Sequence, residues 1–300
     1  MKFAITHTTR YQYETEVTEN ANEVRLTPRT NYRQSCYHHS LTVEPTASVL
    51  QYEDFYGNRV YAFSVVPPHR ELVIKAQSIV VTQDQEPRSA SALPLVGELE
   101  IIKDIKFQNR YAEYLLPTPY VSLSPEVKEY ADSIDSGRSF ENVYDMLLAI
   151  MNGIKHDFIY SPGATNVGTT VNETLELRQG VCQDFTHLML AICRIKGIPA
   201  RYVSGYHFVQ DLQSVPYEFE QASHAWVEAH IPGVGWLGFD PTNNNVMSWR
   251  YIKLGHGRDY RDIVPTKGIY RGVANPKMEI KVDVRKVEDD LHEVSQATMK

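Results

Sequence analysis

Cysteine is scarce in this chain of 300 residues, which contains only Cys36, Cys182 and Cys193. An odd and low count argues against a disulfide framework and is typical of a reducing compartment. Cys182 and Cys193 are predicted to share one helix, whose rise would place them roughly 16 Å apart, too far for a disulfide. The chain has no apolar run long enough to cross a bilayer, and residues 1–7 alternate like a strand rather than like a leader peptide. The sequence therefore predicts a soluble cytoplasmic protein without a membrane partner.

The sequence also lacks a block of charge and the common ligand motifs. Its net charge of -7 is spread along the chain, so a nucleic-acid partner is not expected. Neither C-x-x-C nor H-E-x-x-H occurs, and adjacent strand residues such as His38 and His39 point to opposite faces, so no metal site is predicted. Residues 163–168 lack the spacing and the lysine of a phosphate loop. No cofactor is predicted, and the oligomeric state is left open.

The period of the apolar residues changes along the chain and predicts its domains. Residues 1–82 alternate apolar and polar residues in several strands, which predicts a β-rich, sandwich-like N-terminal module. The small and polar residues 83–98 are predicted to be a linker, residues 99–287 a core of mixed helices and strands, and residues 288–300 a polar tail. The predicted fold class is α+β.

Within the core, one helix is predicted to begin at or near Cys182. Its apolar stripe includes Phe185, Leu188 and Ile192, and Gly197 marks its end. The other predicted helices begin at Ser124-Pro125, cover 140–154 and include 174–177. The predicted strands are 200–208, 223–231, 236–239 and 278–287, with a polar loop at 210–221.

Three residues in these elements have the chemistry of a nucleophile, its base and a group that orients the base. Cys182 lies at a helix start, where unpaired backbone N–H groups stabilise a thiolate. His224 alternates with the apolar residues of its strand and faces a more polar side. Asp240 ends the next strand, where it could accept the second imidazole proton. Taken together, Cys182, His224 and Asp240 predict a cysteine-dependent acyl-transfer enzyme.

Each residue also has an ordinary structural explanation. Cys182 could be a small buried hydrophobe, His224 a surface histidine and Asp240 the start of an Asp-Pro turn. The acidic side chain of Asp184 would disfavour the thiolate if it pointed towards Cys182, but at this spacing the two side chains are expected to diverge. The combination of all three residues is what favours the catalytic interpretation.

The catalytic hypothesis predicts a specific strand register. For His224 to lie directly opposite Asp240, Glu228 must face Trp236 and residues 229–235 must form the loop. A tighter turn is expected to place Asp240 opposite Val227 or Glu228 instead.

Residues 158–287 resemble the transglutaminase-like core of bacterial cysteine peptidase-like proteins, and residues 1–82 resemble the β-rich module that accompanies it. The segments that carry this resemblance are Tyr160-Ser161-Pro162-Gly163-Ala164-Thr165, Gly180-Val181-Cys182-Gln183-Asp184-Phe185, Gly197-Ile198-Pro199-Ala200-Arg201-Tyr202, Ser223-His224-Ala225-Trp226, Asp240-Pro241-Thr242-Asn243 and Gly257-Arg258-Asp259-Tyr260. The resemblance implies a papain-like core, in which a helix carrying the cysteine packs on an antiparallel sheet. It also implies catalytic roles for Cys182, His224 and Asp240.

The substrate expected from this chemistry is a peptide or protein with an amide or isopeptide bond. The Cys182 backbone N–H is expected to bind the oxyanion, and Tyr160 is nominated as the second donor. Trp226 is predicted to support the site, and Trp226 and Trp236 could each line the cleft or belong to the core. Hydrolysis and transamidation both stay open. The alternative function is a non-catalytic peptide-binding scaffold with the same fold.

Overall fold

The structure, a computed structural model, describes residues 1–84, 93–209, 223–273 and 276–287. Residues 85–92, which are half of the predicted linker, all of the predicted polar loop at 210–221 and the predicted tail at 288–300 lie outside these residues. No helix in the described part of the chain is both long enough and apolar enough to span a membrane.

The N-terminal module is built around one long strand, β1. Every second residue in its first half, from Phe3 to Thr9, is buried. This half pairs with β5, and the second half pairs with β4 after an irregular register between Gln12 and Val17. The strands of the module are β1 Lys2–Val24, β2 Gln34–Glu44, β3 Val49–Glu53, β4 Arg59–Val65 and β5 His69–Thr82. They form a curled sheet in the order β2-β5-β1-β4-β3, so the predicted β-rich module is confirmed.

The helices that follow match the predicted change of period. They are α1 Leu95–Lys103, α2 Ile105–Arg110, α3 Pro125–Asp135, α4 Val143–Asp157, α5 Val171–Leu177 and α6 Cys182–Ile195. The predicted start at Ser124-Pro125 is confirmed, because the Ser124 hydroxyl accepts a hydrogen bond from the N–H of Val127. Helix α1 begins inside the predicted linker of residues 83–98, so that boundary is wrong.

The core sheet packs on α6. Its strands are β8 Ala200–His207, β9 Ser223–Ile231, β10 Gly235–Asp240, β11 Asn245–Val246 and β12 Tyr251–Gly257, and their order is β11-β10-β9-β8-β12. The face of β9 that carries Ala225, Val227 and Ala229 is buried with Leu188 and Ile192 of α6. Two short strands, β6 Ile159–Tyr160 and β7 Gln179–Gly180, pair in parallel just before α6. A cysteine-bearing helix on an antiparallel sheet is the core that the sequence predicts.

The last two strands return to the N-terminal module. Strands β13 Thr266–Arg271 and β14 Lys277–Lys286 both pair with β1, on the two halves of that strand. The prediction placed them in the core of residues 99–287, and the structure corrects it. The alternation of a strand reveals its buried face, but it does not reveal which sheet the strand joins.

A buried charge cluster joins the module to the opposite face of the core sheet. The Glu228 carboxylate lies 2.7 Å from the guanidinium of Arg201 and 2.5 Å from Nζ of Lys253. From the module, the Gln34 side chain donates to the Lys253 carbonyl and accepts from its N–H, both at 2.8 Å. Glu228 of β9 therefore faces the module, whereas the apolar residues of β9 face α6.

Candidate active site

Cys182 is the first residue of α6, as the sequence predicts, and it is half-buried. The residue before it, Val181, has an extended backbone and no side-chain group that can cap the helix. Its N–H instead donates to Oδ2 of Asp184 at 2.8 Å. The N-terminus of the helix is thus fixed by a side chain from its own first turn.

The Asp184 carboxylate is fixed by this hydrogen bond to the backbone of Val181. It also accepts a hydrogen bond from the Thr165 hydroxyl at 2.6 Å and is 1 % exposed. A Cβ atom at position 180 would lie 2.7 Å from Oδ2 of Asp184 and 2.8 Å from its Cβ. Gly180 is therefore needed because Asp184 packs against its Cα, which the sequence analysis did not foresee.

His224 and Asp240 meet, although the predicted register is wrong. The hairpin is tighter than predicted, because Gly235 pairs with Ile231 and Trp236 with His230. Continued by one residue, this register places Asp240 opposite Trp226. Trp226 lies two residues from His224 and on the same face of β9. Diagonal neighbours of this kind are within reach of each other's side chains. Nε2 of His224 lies 2.7 Å from Oδ2 of Asp240.

The two side chains hold each other in the charged form. Burial by itself lowers the pKa of His224, but the charge and hydrogen bond of Asp240 outweigh burial and raise that pKa above its ordinary value. A hydrogen bond to the Cys182 side chain raises it further. Burial likewise raises the pKa of Asp240, but the interaction with His224 outweighs it and holds that pKa below its usual range. Because Nε2 faces Asp240, Nδ1 is the ring nitrogen left for Cys182.

Asp240 is fully buried and accepts hydrogen bonds on both oxygens. Besides His224, Oδ2 accepts from the Tyr251 hydroxyl at 2.8 Å and from the Asn243 amide at 2.7 Å. Oδ1 accepts from the backbone N–H groups of Thr242 at 2.9 Å and Asn243 at 3.3 Å. The sequence analysis missed Tyr251 and Asn243. The only signal for Asn243 was its position in the turn after Asp240.

A second imidazole, also missed, lies beside this pair. The ring of His207 stacks on Tyr251 with centroids 4.1 Å apart and lies 5.5 Å from the ring of His224. Burial lowers the pKa of His207 to about 4, and the positive charge of His224 contributes to this shift. Among the described residues, His207, His224 and Asp240 are a group whose ligand atoms lie close enough to hold a metal ion.

Tyr160 lies next to the cysteine, as its nomination requires. It pairs with Gly180 in the short parallel ladder, and 40 % of it is exposed. Burial and the charges of Cys182 and Asp240 raise the pKa of Tyr160 to about 12. Its hydroxyl therefore keeps its proton at neutral pH and can donate a hydrogen bond.

Neither tryptophan lines the site beside Cys182. Trp226 is 2 % exposed and packs with Val203, Met247 and Tyr251 under His224. It supports the site through packing, because its ring contacts Tyr251 edge-on at 5.5 Å. Trp236 lies four residues along β10 from Asp240, where the Arg201 guanidinium stacks on it at 4.1 Å.

Comparisons with known proteins identify the family and the fold of this chain. Family models described as bacterial transglutaminase-like N-terminal region and transglutaminase-like superfamily match residues 3–81 and 128–241. An uncharacterized protein of Mycobacterium leprae is 35 % identical, and the alignment covers 95 % of this chain and 99 % of that protein. A crystal structure from Cytophaga hutchinsonii, described as a candidate cysteine protease, has a TM-score of 0.74 and 26 % identity and covers 96 % of this chain and 92 % of its own.

A more distant relative carries a named activity. The protein-glutamine gamma-glutamyltransferase of Pseudomonas aeruginosa is 29 % identical over 126 residues, which are 40 % of this chain and 18 % of that protein. The two family models and the full-length relative are sufficient to assign the family. The chain belongs to the transglutaminase-like superfamily and carries the N-terminal region of its bacterial members.

Proposed function

We propose that this protein is a cysteine-dependent acyl-transfer enzyme that opens a peptide or carboxamide bond through a thioester on Cys182. The observation that carries the proposal is the hydrogen-bonded sequence of the Cys182 thiol, the His224 imidazole and the buried Asp240 carboxylate. A nucleophile, a base and a group that orients the base are the minimum parts for such a reaction.

In the first half-reaction, the Cys182 sulfur attacks the carbonyl carbon while Nδ1 of His224 holds the proton that came from the thiol. Asp240 accepts a hydrogen bond from Nε2–H throughout, which fixes the tautomer and stabilises the imidazolium. His224 then returns the proton to the nitrogen of the leaving amine or ammonia as the carbon–nitrogen bond breaks. The acyl group stays on sulfur as a thioester.

Two donors are proposed to stabilise the oxyanion. The backbone N–H of Cys182 belongs to the first turn of α6, where helical N–H groups have no intrahelical partner. The protonated hydroxyl of Tyr160 is the second donor in this proposal, because its pKa responds to the charge of Cys182. In the second half-reaction, His224 deprotonates water or an amine, which attacks the thioester and releases the acid or a new amide.

The names of two relatives support this class of reaction. One is named for the transfer of a gamma-glutamyl group of a protein glutamine, and the other is described as a candidate cysteine protease. Both reactions begin by opening an amide bond. We therefore propose a substrate that presents an amide or isopeptide bond on a peptide or protein.

The direct test is to trap the acyl-enzyme. The protein is incubated with a library of glutamine peptides and isopeptides, quenched in acid and examined by mass spectrometry for an acyl group on Cys182. The expected result is an adduct on Cys182 that is absent from the Cys182→Ala protein and strongly reduced in the His224→Ala protein. Cys36, which is also half-buried, serves as the internal control.

A scaffold without catalysis would behave differently. Its Cys182 would react with iodoacetamide only above about pH 8, as an ordinary cysteine does, and His224→Ala would leave that reactivity unchanged. This outcome, with no adduct from any member of the library, would contradict the proposed function.

A further inference from the structure

On the side of His224 that faces away from Cys182, the amide group of Asn243 lies among a carboxylate oxygen and two ring nitrogens. The amide nitrogen of Asn243 lies 2.7 Å from Oδ2 of Asp240, 3.5 Å from Nδ1 of His207 and 3.4 Å from Nε2 of His224. The ligand atoms of Asp240, His207 and His224 all lie within 4.8 Å of one another. The Asn243 amide nitrogen thus lies between a carboxylate oxygen and two ring nitrogens, of which Nε2 of His224 still carries the proton that it shares with Asp240.

These three atoms are of the types that bind zinc. Imidazole nitrogen and carboxylate oxygen bind Zn²⁺ at about 2.0–2.2 Å, and three protein ligands with an open fourth position are a common arrangement. The three ligand atoms need to move towards their common centre by only about 1 Å to reach these bond lengths.

The groups around the ligands are already fixed. Oδ1 of Asp240 is held by two backbone N–H groups, and the ring of His207 is held by its stack on Tyr251. Such outer contacts orient ligands and contribute to metal affinity. Asn243 is exposed, so its side chain can leave the centre without disturbing the core.

We propose that His207, His224 and Asp240 form a reversible site for a divalent transition metal of the zinc class, and that the metal inhibits the enzyme by replacing the Asn243 amide. The metal site stands on this geometry alone. The inhibition rests on the proposed function, because it requires His224 to act as the base.

The chemistry of inhibition follows from the two ring nitrogens. The metal takes the lone pair of Nε2, and the proton that Nε2 shared with Asp240 goes to the solvent. The ring can then carry a proton on Nδ1 only, so the imidazolium that pairs with the Cys182 sulfur cannot form. Metal binding and acid–base catalysis by His224 therefore exclude each other.

Sequence patterns do not reveal this site. The three ligands come from the ends of β8, β9 and β10, and their spacings match no zinc motif. They meet because His207 lies opposite Tyr251 in the sheet and Tyr251 bonds to Asp240.

The test uses the full chain with Cys182→Ala, so that the thiol cannot bind the metal. Titration with ZnCl₂ by calorimetry is expected to give a stoichiometry of one ion per chain. Bound Co²⁺ is expected to give the visible absorption bands that are typical of a low coordination number. Adding His207→Phe, which keeps a ring against Tyr251, is expected to weaken zinc binding by more than about 100-fold, since even outer partners of a ligand contribute about 10- to 100-fold. His156→Phe is the matched control, because the His156 side chain is 89 % exposed on α4.

Two results would overturn the proposal: no stoichiometric binding in the Cys182→Ala protein, or equal affinity in the His207→Phe protein. If His207→Phe folds poorly, His207→Gln provides the same comparison. Asn243→Ala is expected to bind zinc at least as tightly as its parent, and a large loss of affinity would mean that Asn243 is a ligand rather than a group that is displaced. Failure of the proposed function would appear separately, as an unreactive Cys182 in metal-free protein.

Discussion

Replacing Asp240 by asparagine tests how the carboxylate controls His224. The change keeps the shape of the side chain but leaves one oxygen where the wild type has two. Oδ1 faces two backbone N–H groups, which cannot reorient. Oδ2 faces His224, Tyr251 and Asn243, whose side chains can each reverse their roles as donor or acceptor.

The orientation of the new amide follows from this difference. An unsatisfied buried donor costs about 1–3 kcal/mol, so leaving both backbone groups unpaired would cost about 2–6 kcal/mol. Asparagine is therefore expected to keep its oxygen on the backbone side and turn its NH₂ towards His224. Nε2 must then accept a hydrogen bond, and the ring proton moves to Nδ1, where it blocks proton transfer from Cys182. The same change in a Ser-His-Asp enzyme, which produces the wrong tautomer, lowers kcat by about 10⁴-fold.

Alkylation of Cys182 by iodoacetamide measures this effect without a substrate. A free cysteine with a pKa of about 8.5 is about 0.3 % thiolate at pH 6. A cysteine beside an imidazolium is, in general, mostly thiolate at that pH. Because stabilised thiolates are weaker nucleophiles, the expected advantage of the wild type at pH 6 is about 10-fold. The two rates should converge near pH 9.

Tyr251→Phe is the control for this experiment. It removes one hydrogen bond to Asp240 but keeps the ring against His207 and leaves the tautomer unchanged. We expect its alkylation rate at pH 6 to stay close to the wild-type rate. An Asp240→Asn protein that is folded by circular dichroism and still reacts like the wild type at pH 6 would refute the tautomer argument.

Three further predictions concern stability and the helix start. Glu228→Gln leaves Arg201 and Lys253 buried without their carboxylate, so it should lower the free energy of unfolding by about 3–5 kcal/mol in urea titrations. Glu71→Gln, which removes a more exposed carboxylate, is the control and should lower it by less than about 1 kcal/mol. Gly180→Ala should lower the free energy of unfolding by about 1–3 kcal/mol and slow the alkylation of Cys182, because the new methyl group displaces Asp184. Unchanged stability and reactivity would contradict this prediction. The protein should also lose stability as the pH falls below 6.5, since burial lowers the pKa of several histidines to about 4 or below and only the unfolded chain then takes up protons; a melting temperature that stays constant from pH 6.5 to 4.5 would argue against it. These histidines are His7, His39, His187, His207, His230 and His256.

The sequence predicts the helix start and the strand faces because both depend on local patterns. The stripe of α6 and the alternation of β9 are set by periods of 3.6 and 2 residues, and they place Cys182 and His224 correctly on their elements. The hairpin register is not local in this sense. It depends on which turn closes between Ile231 and Gly235, and both of the placements considered for Asp240 differ from the structure.

The groups that sequence analysis misses reach the site from distant parts of the chain. Tyr251 lies on β12 and His207 at the end of β8, and both reach Asp240 only because these strands are neighbours in the sheet. Their residue types are ordinary for strands. Without the strand order, no spacing connects them to the cysteine.

The N-terminal module cannot be assigned a role by simply deleting it. Removal of residues 1–82 takes away β1, which is the partner of both β13 and β14, and exposes Tyr206, Phe208 and Ile252, which are buried in one cluster with residues of the module. A truncated protein would lose the packing behind β8 and β12, the strands that hold His207 and Tyr251. Loss of activity after truncation would therefore reflect the collapse of the site rather than a change in substrate choice. Substitutions on the surface of the intact module, with thermal stability as the control, separate the two effects.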